Sequence, residues 1–159
     1  MKLLVLDLDG TLWDHEDASR LVPPFLVGSD GEGVVDAYGE ELVLFPGVRD
    51  FLEWAKERFL LSVASWNLEE FVRPILEALG LWDYFVFPKI EGHPDKASMI
   101  ERTLLDLKAA GYTVDGVIYV DDRTIHVDEV VNAIPDLKFI HMWTDVKSFE
   151  ELKKMLEVL

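Results

Sequence analysis

The sequence predicts an α/β fold: a doubly wound (Rossmann-like), five-stranded parallel sheet covered by helices, with a small β-hairpin flap and no large cap domain. Three observations predict it. Strand-like and helix-like segments alternate along most of the 159-residue chain. The strand segments are short and apolar on both faces, as in a parallel sheet sandwiched between helices. Gly80 and Gly111 follow the second and third helical segments, where helices commonly stop.

Taken in order, the first strand is expected over 2–8, where Leu3-Leu4-Val5-Leu6 runs into a polar loop. Residues 14–45 then break the alternation. Pro23-Pro24, Ser29-Asp30-Gly31 and Tyr38-Gly39-Glu40 carry turn chemistry, and Val34-Val35 and Leu42-Val43-Leu44 flank the last turn. The stretch predicts a β-hairpin insertion, too short to be a domain, acting as a flap over a site; an inert edge hairpin is the plainer alternative. Pro46-Gly47 opens a helix over 48–58. A strand over 59–64, a helix over 68–79, a strand over 84–87 and a helix over 95–110 follow. A strand over 116–120, a helix over 124–132 and a strand over 137–141 come next. The last helix, 146–159, sets Phe149, Leu152, Met155, Leu156 and Leu159 on one face. No repeat or linker divides the chain, so a single domain over 1–159 is expected, with the insertion at about 14–45.

Composition narrows the function classes. Half of the residues are hydrophobic, which suits a globular chain with a sizeable core. The absence of cysteine excludes disulfides, thiolate metal sites and cysteine nucleophiles. A net charge of −16 argues against affinity for nucleic-acid backbone or anionic membranes, which need clustered Lys and Arg. No apolar run is long enough to span a bilayer, and Met1-Lys2 leads straight into the first strand without a secretory signal. A cytoplasmic location is expected.

The chemistry concentrates where strands end. In open α/β sheets, ligands bind at the carboxyl ends of strands. After the first strand, Asp7-Leu8-Asp9-Gly10-Thr11 sets two carboxylates one residue apart, on the same side of an extended segment. Two anions held together need a cation or a proton, and a divalent metal with oxygen ligands meets that need. Such a pair suits an aspartate that attacks phosphorus; a solvated acidic turn is the alternative. After the second strand, Ser65-Trp66-Asn67 opens a helix, offering a hydroxyl and N–H groups to an anion, or simply an N-cap. Lys96 stands at the start of the third helix, where a cation opposes the helix dipole, so it is expected to serve another purpose; Lys89 is its rival. After the fourth strand, Asp121-Asp122 can complete a metal site with the first pair, or cap the next helix. His15, His93, His126 and His141 are scattered and predict no histidine metal site. Trp13 and Trp66 flank the first two motifs and are weighed equally as substrate wall and as core. Arg123 is expected to do no more than pair with the preceding acids.

In this order the motifs resemble those of the haloacid dehalogenase-like phosphohydrolase superfamily. Asp7-Leu8-Asp9-Gly10-Thr11 is similar to its first motif, Ser65 to the second, Lys96 to the third and Asp121-Asp122 to the fourth. Within it the chain looks most like the magnesium-dependent phosphatase-1 family, on Thr11-Leu12-Trp13, Pro23-Pro24-Phe25, Ser29-Asp30-Gly31, Ala64-Ser65 and Tyr119-Val120-Asp121-Asp122. It departs from that family at Gly10, where eukaryotic members carry an aromatic residue, and at Trp66-Asn67, where a basic–polar pair is expected.

The resemblance implies a magnesium-dependent phosphatase, a hydrolase of phosphomonoesters working through an aspartyl-phosphate. Asp7 would be the nucleophile and Asp9 the general acid and base. Asp7, the Asp9 carbonyl and one of Asp121 and Asp122 would hold Mg²⁺. Lys96 would neutralise charge, and Ser65, Trp66, Asn67, Lys96 and Thr11 would bind the phosphate, with Thr11 also orienting Asp9. Phosphotyrosine or phosphoprotein and sugar phosphates are the implied substrates. A phosphotransferase or mutase would use the same intermediate, and a non-hydrolytic signalling module would keep it. A receiver-type acceptor would need an aspartate after the third strand, and none follows Phe87 suitably.

Overall fold

The polar residues singled out above gather along one end of a parallel sheet in the computed structural model, which describes residues 1–159. The elements run β1 (Lys2–Leu6), β2 (Leu26–Val27), β3 (Gly33–Val35), β4 (Glu41–Val43), α1 (Val48–Ala55), β5 (Phe59–Trp66) and α2 (Glu69–Ala78). They continue β6 (Lys89–Glu91), α3 (Lys96–Ala109), β7 (Val117–Asp121), α4 (Val127–Ala133), β8 (Lys138–His141) and α5 (Phe149–Glu157). The large sheet has the order β6-β5-β1-β7-β8, and each of its pairs is parallel. Winding proceeds from β1 outward through β5 and β6, then returns to β7 and β8. The direction reverses between β1 and β7, which opens a crevice at their carboxyl ends.

Burial explains why these runs are strands. β1 is central, so Leu3, Leu4 and Leu6 are all 0% exposed although successive side chains face opposite layers. Leu4, Leu6, Leu61, Val63, Ile118 and Val120 face one layer, packed by Val48, Phe51 and Leu52 of α1, Val72 and Ile75 of α2, and Phe149 and Leu152 of α5. Leu3, Val5, Leu60, Val117 and Tyr119 face the other, packed by Ala97, Met99 and Ile100 of α3 and Val130 of α4. Each fully buried Leu contributes roughly 1.5–3 kcal/mol of transfer free energy. Side-chain caps start two of the helices: Asp95 accepts from Ser98 N–H at 3.0 Å, and Ser148 from Glu151 N–H at 3.0 Å.

Two expectations are corrected. The strand expected over 84–87 is not one; pairing with β5 falls on β6 instead. Val86 N–H does reach Leu61 O at 2.7 Å, but Phe87 adopts φ 46°, in the left-handed region, and breaks the extended run. The Phe87 carbonyl accepts from Ser62 Oγ at 3.3 Å and Thr103 Oγ1 at 3.2 Å. The apolar run is explained by packing: Phe85 is buried in the core although it lies outside the sheet. The insertion is also larger than a hairpin. It is a three-stranded antiparallel sheet, β2-β3-β4, anchored by Val34 and Leu42 in the core and by a bridge from Trp13 to Leu44.

Candidate active site

Asp7 stands one residue beyond β1, where its N–H donates to Val120 O at 3.0 Å and stitches it to β7. Its carboxylate meets Lys96, the first residue of α3, at 2.8 Å. The Lys96 ammonium is 1% exposed and spends its three protons on Asp7 Oδ1, Ala64 O at 2.7 Å and Asp121 Oδ2 at 3.3 Å. That explains a lysine at a helix start: β1, β5 and β7 all point acceptors at it. Lys89, the rival, is committed to Phe87 O and Asp106 and takes no part.

Charge in this cluster is unbalanced. Asp7, Asp121 and Asp122 place carboxylate oxygens within 4.8 Å of one another around a single ammonium. Burial pushes the Asp7 carboxyl well above the ordinary carboxylate range, Asp121 and Asp122 push the same way, and Lys96 opposes them. Burial also raises Asp122. Asp121 goes the other way: burial alone would raise it, but Lys96, the Tyr119 hydroxyl and the Arg123 N–H together hold it low. Burial would lower the Lys96 ammonium, yet the charges of Asp7 and Asp121 win and raise it. The donor set is all oxygen and carries excess negative charge, which fits a hard divalent cation.

The two adjacent aspartates divide. Asp121 is 1% exposed, and its oxygens accept from Lys96, Tyr119 Oη and Arg123 N–H, the last at 3.0 Å. Asp122 is half-buried and faces the cleft, with Oδ1 accepting from Thr11 Oγ1 at 3.1 Å. Thr11 is 0% exposed; its hydroxyl lies 3.2 Å from Asp7 Oδ2 and accepts from Asp122 N–H at 3.1 Å. Thr11 therefore ties Asp7 to Asp122 and does not touch Asp9, contrary to the orienting role expected of it. Gly10 sits at φ 74°, and a Cβ there would come within 2.5 Å of Asp122 Oδ2. An aromatic side chain has no room in this arrangement.

Asp9 is clamped. Trp13 Nε1 at 2.8 Å and Ala18 N–H at 3.0 Å donate to Oδ1, and Asn67 Nδ2 at 2.8 Å donates to Oδ2. The Asn67 Oδ1 accepts from Leu68 N–H at 2.8 Å, so its carboxamide is spent on Asp9 and on the start of α2. Trp13 is 0% exposed and belongs to the core, with its N–H aimed at Asp9; it is not a substrate wall. Trp66, in contrast, is 46% exposed and lines the cleft, edge-on to the buried His126.

The cleft has a volume of about 860 Å³, and only two of its 16 lining residues are hydrophobic, which suits a charged ligand over an apolar one. Asp7, Asp9, Asp122, Ser65 and Asn67 reach it; Lys96, Thr11 and Asp121 lie behind. Of the insertion, Asp14 to Arg20 contributes lining, and none of β2, β3 or β4 does. Arg20 is held by Glu16 at 2.7 Å and Glu40 at 3.2 Å. His15 lines the cleft but is locked between Asp17 N–H and Glu40, and His93 lies against Glu91.

A model of the acid phosphatase family matches residues 1–132. The chain belongs to the acid phosphatase family. A Homo sapiens protein named magnesium-dependent phosphatase 1 is 30% identical to it over 132 residues, 81% of this chain and 72% of that protein. A Dictyostelium discoideum protein named "Probable C-terminal domain small phosphatase" is 30% identical over 162 residues. That match takes in 100% of this chain and 50% of the relative, so the chain spans about half the relative's length. Among solved structures, a HAD-superfamily hydrolase from Ehrlichia chaffeensis is similar at TM-score 0.69 and 14% identity, over 100% of this chain and 98% of that one. The N-terminal part of a Bacteroides fragilis protein, containing a phosphatase domain and complexed with Mg, is similar at TM-score 0.61 and 20% identity, over 98% of this chain and 39% of that one. At these identities the structures speak for the fold.

Three residues of this acid phosphatase family member have no role at the site in the sequence reading, although Tyr119 lies in the run that carries the resemblance and His141 is counted among the scattered histidines. The Tyr119 hydroxyl donates to Asp121 from inside the core, where burial holds it well above its usual pKa. His141 Nε2 lies 2.9 Å from Asp122 O, and Trp143 Nε1 2.8 Å from Gly10 O. The period-2 pattern of β7 places Tyr119 on the same face as Asp121, the one signal that could have found it. His141 and Trp143 reach the site only through β8 and its following turn.

Proposed function

We propose that this chain is a magnesium-dependent phosphatase that hydrolyses phosphomonoesters through an aspartyl-phosphate on Asp7. The observation that carries this reading is the pairing of two carboxylates in one cleft, each held differently. Asp7 is set against Lys96 and Thr11, and two residues on, Asp9 is pinned by three donors. A Asp7 oxygen attacks phosphorus, and the bond to the leaving oxygen breaks as that oxygen takes a proton from Asp9. Asp9 then accepts a proton from the attacking water, and the Asp7–phosphorus bond breaks to release inorganic phosphate. The Ser65 hydroxyl at the end of β5, which makes no bond within the chain, holds the phosphate oxygens; the Asn67 N–H is spent on Glu91 O at 3.0 Å. Lys96 offsets the charge of Asp7 and, through Asp121, is kept in place. Asp7, Asp122 and the Asp9 carbonyl would hold Mg²⁺, which supplies charge neutralisation between carboxylate and phosphate. Asp121 is engaged by three donors, which leaves Asp122 as the better ligand of the two.

The cleft is open at its rim, where Trp66, Asp14 and Glu16 are exposed, so water reaches it, and hydrolysis is favoured over transfer to a second substrate. Substrates in the range of phosphotyrosine, phosphoprotein and sugar phosphates fit such a cleft. The proposed unit is the whole of 1–159 as one domain, with 14–45 inserted. No helix is long and apolar enough to cross a membrane, and we place the protein in the cytoplasm. The test is phosphate release from a panel of phosphomonoesters with Mg²⁺ and with chelator. Asp7→Asn is expected to lose turnover by more than 10³-fold, of the size seen when nucleophiles are removed elsewhere; full activity in Asp7→Asn would overturn the nucleophile assignment.

A further inference from the structure

The turn after β8 touches both halves of the site without entering the cleft. Asp121 of β7 pairs with His141 of β8, and Met142 N–H donates to Asp121 O at 2.9 Å. The chain then doubles back: Thr144 and Asp145 N–H both donate to His141 O, and the Asp145 carboxylate accepts from His141 N–H at 2.8 Å. At the apex Trp143 adopts φ 71°, in the left-handed region that a bulky side chain avoids. Strain of this kind persists only where the surroundings over-determine it, and it clusters at functional sites. Here the surroundings are visible. The indole ring lies 4.4 Å from Phe45 and 6.0 Å from Phe149, between the end of the insertion and the start of α5.

That pose aims the indole N–H at Gly10 O, 2.8 Å away. Gly10 N–H is already held by Trp13 O and His15 O, both at 3.1 Å, so its backbone is fixed on both sides. The Gly10 carbonyl belongs to the peptide that leads into Thr11, whose hydroxyl joins Asp7 to Asp122. Two residues before Trp143, His141 lies 2.9 Å from the Asp122 carbonyl. A carbonyl only accepts, so the proton is on His141 Nε2. One turn thus grips Gly10 and Asp122, the two residues whose close approach admits no Cβ between them.

We propose that Trp143 and His141 are positioning residues of this site. Acting through the Gly10 and Asp122 carbonyls, they set the separation of the Asp7 and Asp122 carboxylates, and so the affinity for a divalent cation. The inference rests on the phosphatase reading, but metal binding tests it separately. Trp143→Phe keeps an aromatic ring between Phe45 and Phe149 while removing the N–H together with the rest of the five-membered ring. Loss of one such hydrogen bond corresponds to roughly 3–10-fold in an equilibrium constant. Mg²⁺ binding measured by titration calorimetry is expected to weaken by that factor in Trp143→Phe and in His141→Ala. His141→Gln, which retains a donor, is expected to recover part of it. In the phosphatase assay the same variants should need more Mg²⁺ for half-maximal rate while KM at saturating Mg²⁺ stays near wild type. If Trp143→Phe and His141→Ala lower Tm but bind Mg²⁺ as wild type does, the turn is merely structural and the proposal fails. If the wild type binds Mg²⁺ but releases no phosphate from any ester, the phosphatase reading fails while the positioning result still stands on calorimetry.

Discussion

Replacing Lys96 by Met tests whether the buried ammonium or the fold itself holds the Asp7 and Asp121 carboxylates together. Met keeps the apolar stem and removes the charge. In the wild type, Lys96 is 1% exposed and bonded to Asp7, Asp121 and Ala64 O. Without it two buried carboxylates face each other and a buried carbonyl loses its donor. Breaking a buried ion pair by removing one partner costs about 3–5 kcal/mol, a large share of the roughly 5–15 kcal/mol that holds a domain folded. With a urea slope of about 2 kcal/mol/M, the midpoint in chelator at pH 7 should fall by roughly 1.5–2.5 M. The sign with pH follows from Asp7. Its carboxyl is held above the ordinary range by burial, so the folded state binds that proton more tightly. Its stability contribution is therefore present in acid and lost as pH rises from the ordinary carboxylate range through the raised folded value. Removing Lys96 raises that value further. The deficit of Lys96→Met should thus shrink toward acid and widen toward neutrality, and Asp7→Asn in the same background should recover part of it. A midpoint within about 0.5 M of wild type at pH 7, with no change in pH dependence, would refute the argument that Lys96 offsets these charges.

Other outcomes follow from the same geometry. Asp122→Asn is expected to weaken Mg²⁺ binding by calorimetry with little change in melting temperature, whereas Asp121→Asn should lower the melting temperature and leave more of the Mg²⁺ affinity. Gly10→Ala places a Cβ at φ 74° within 2.5 Å of Asp122 Oδ2; it should cost about 1–2 kcal/mol in denaturant titrations and raise the Mg²⁺ needed for turnover. Asn67→Ala releases Asp9 Oδ2 and should lower kcat by roughly tenfold, one hydrogen bond to a charged group, while calorimetric Mg²⁺ binding stays near wild type.

The sheet was legible because β1, β5 and β7 are apolar on both faces, as strands buried between two layers are. The first two and the last two strands of the sheet were read within two residues of their observed ends. The run at 84–87 misled because Phe85 is apolar for packing and not for pairing, and local periodicity cannot separate the two. In the insertion, turn chemistry marked the bends but not the two-residue strand β2, which is held only by its pairing with β3.

By itself the sequence determined the sheet's central strands, the acidic loops at their ends and the order in which Asp7, Ser65, Lys96 and the second acidic pair arrive. These are local: each rests on residues within a few positions of one another. Tertiary structure alone decided that Asp121 turns inward to Lys96 while Asp122 faces the cleft, since adjacent residues of a strand point to opposite sides and only burial says which side is which. It also decided that Asn67 and Trp13 serve Asp9, and that Thr11 joins Asp7 to Asp122. Trp143, which is 133 positions from Gly10, reaches it through a parallel sheet that brings β8 beside β7. A hydrogen bond is directional and short-ranged, so partners that distant in the chain become visible only once the strands between them are laid side by side.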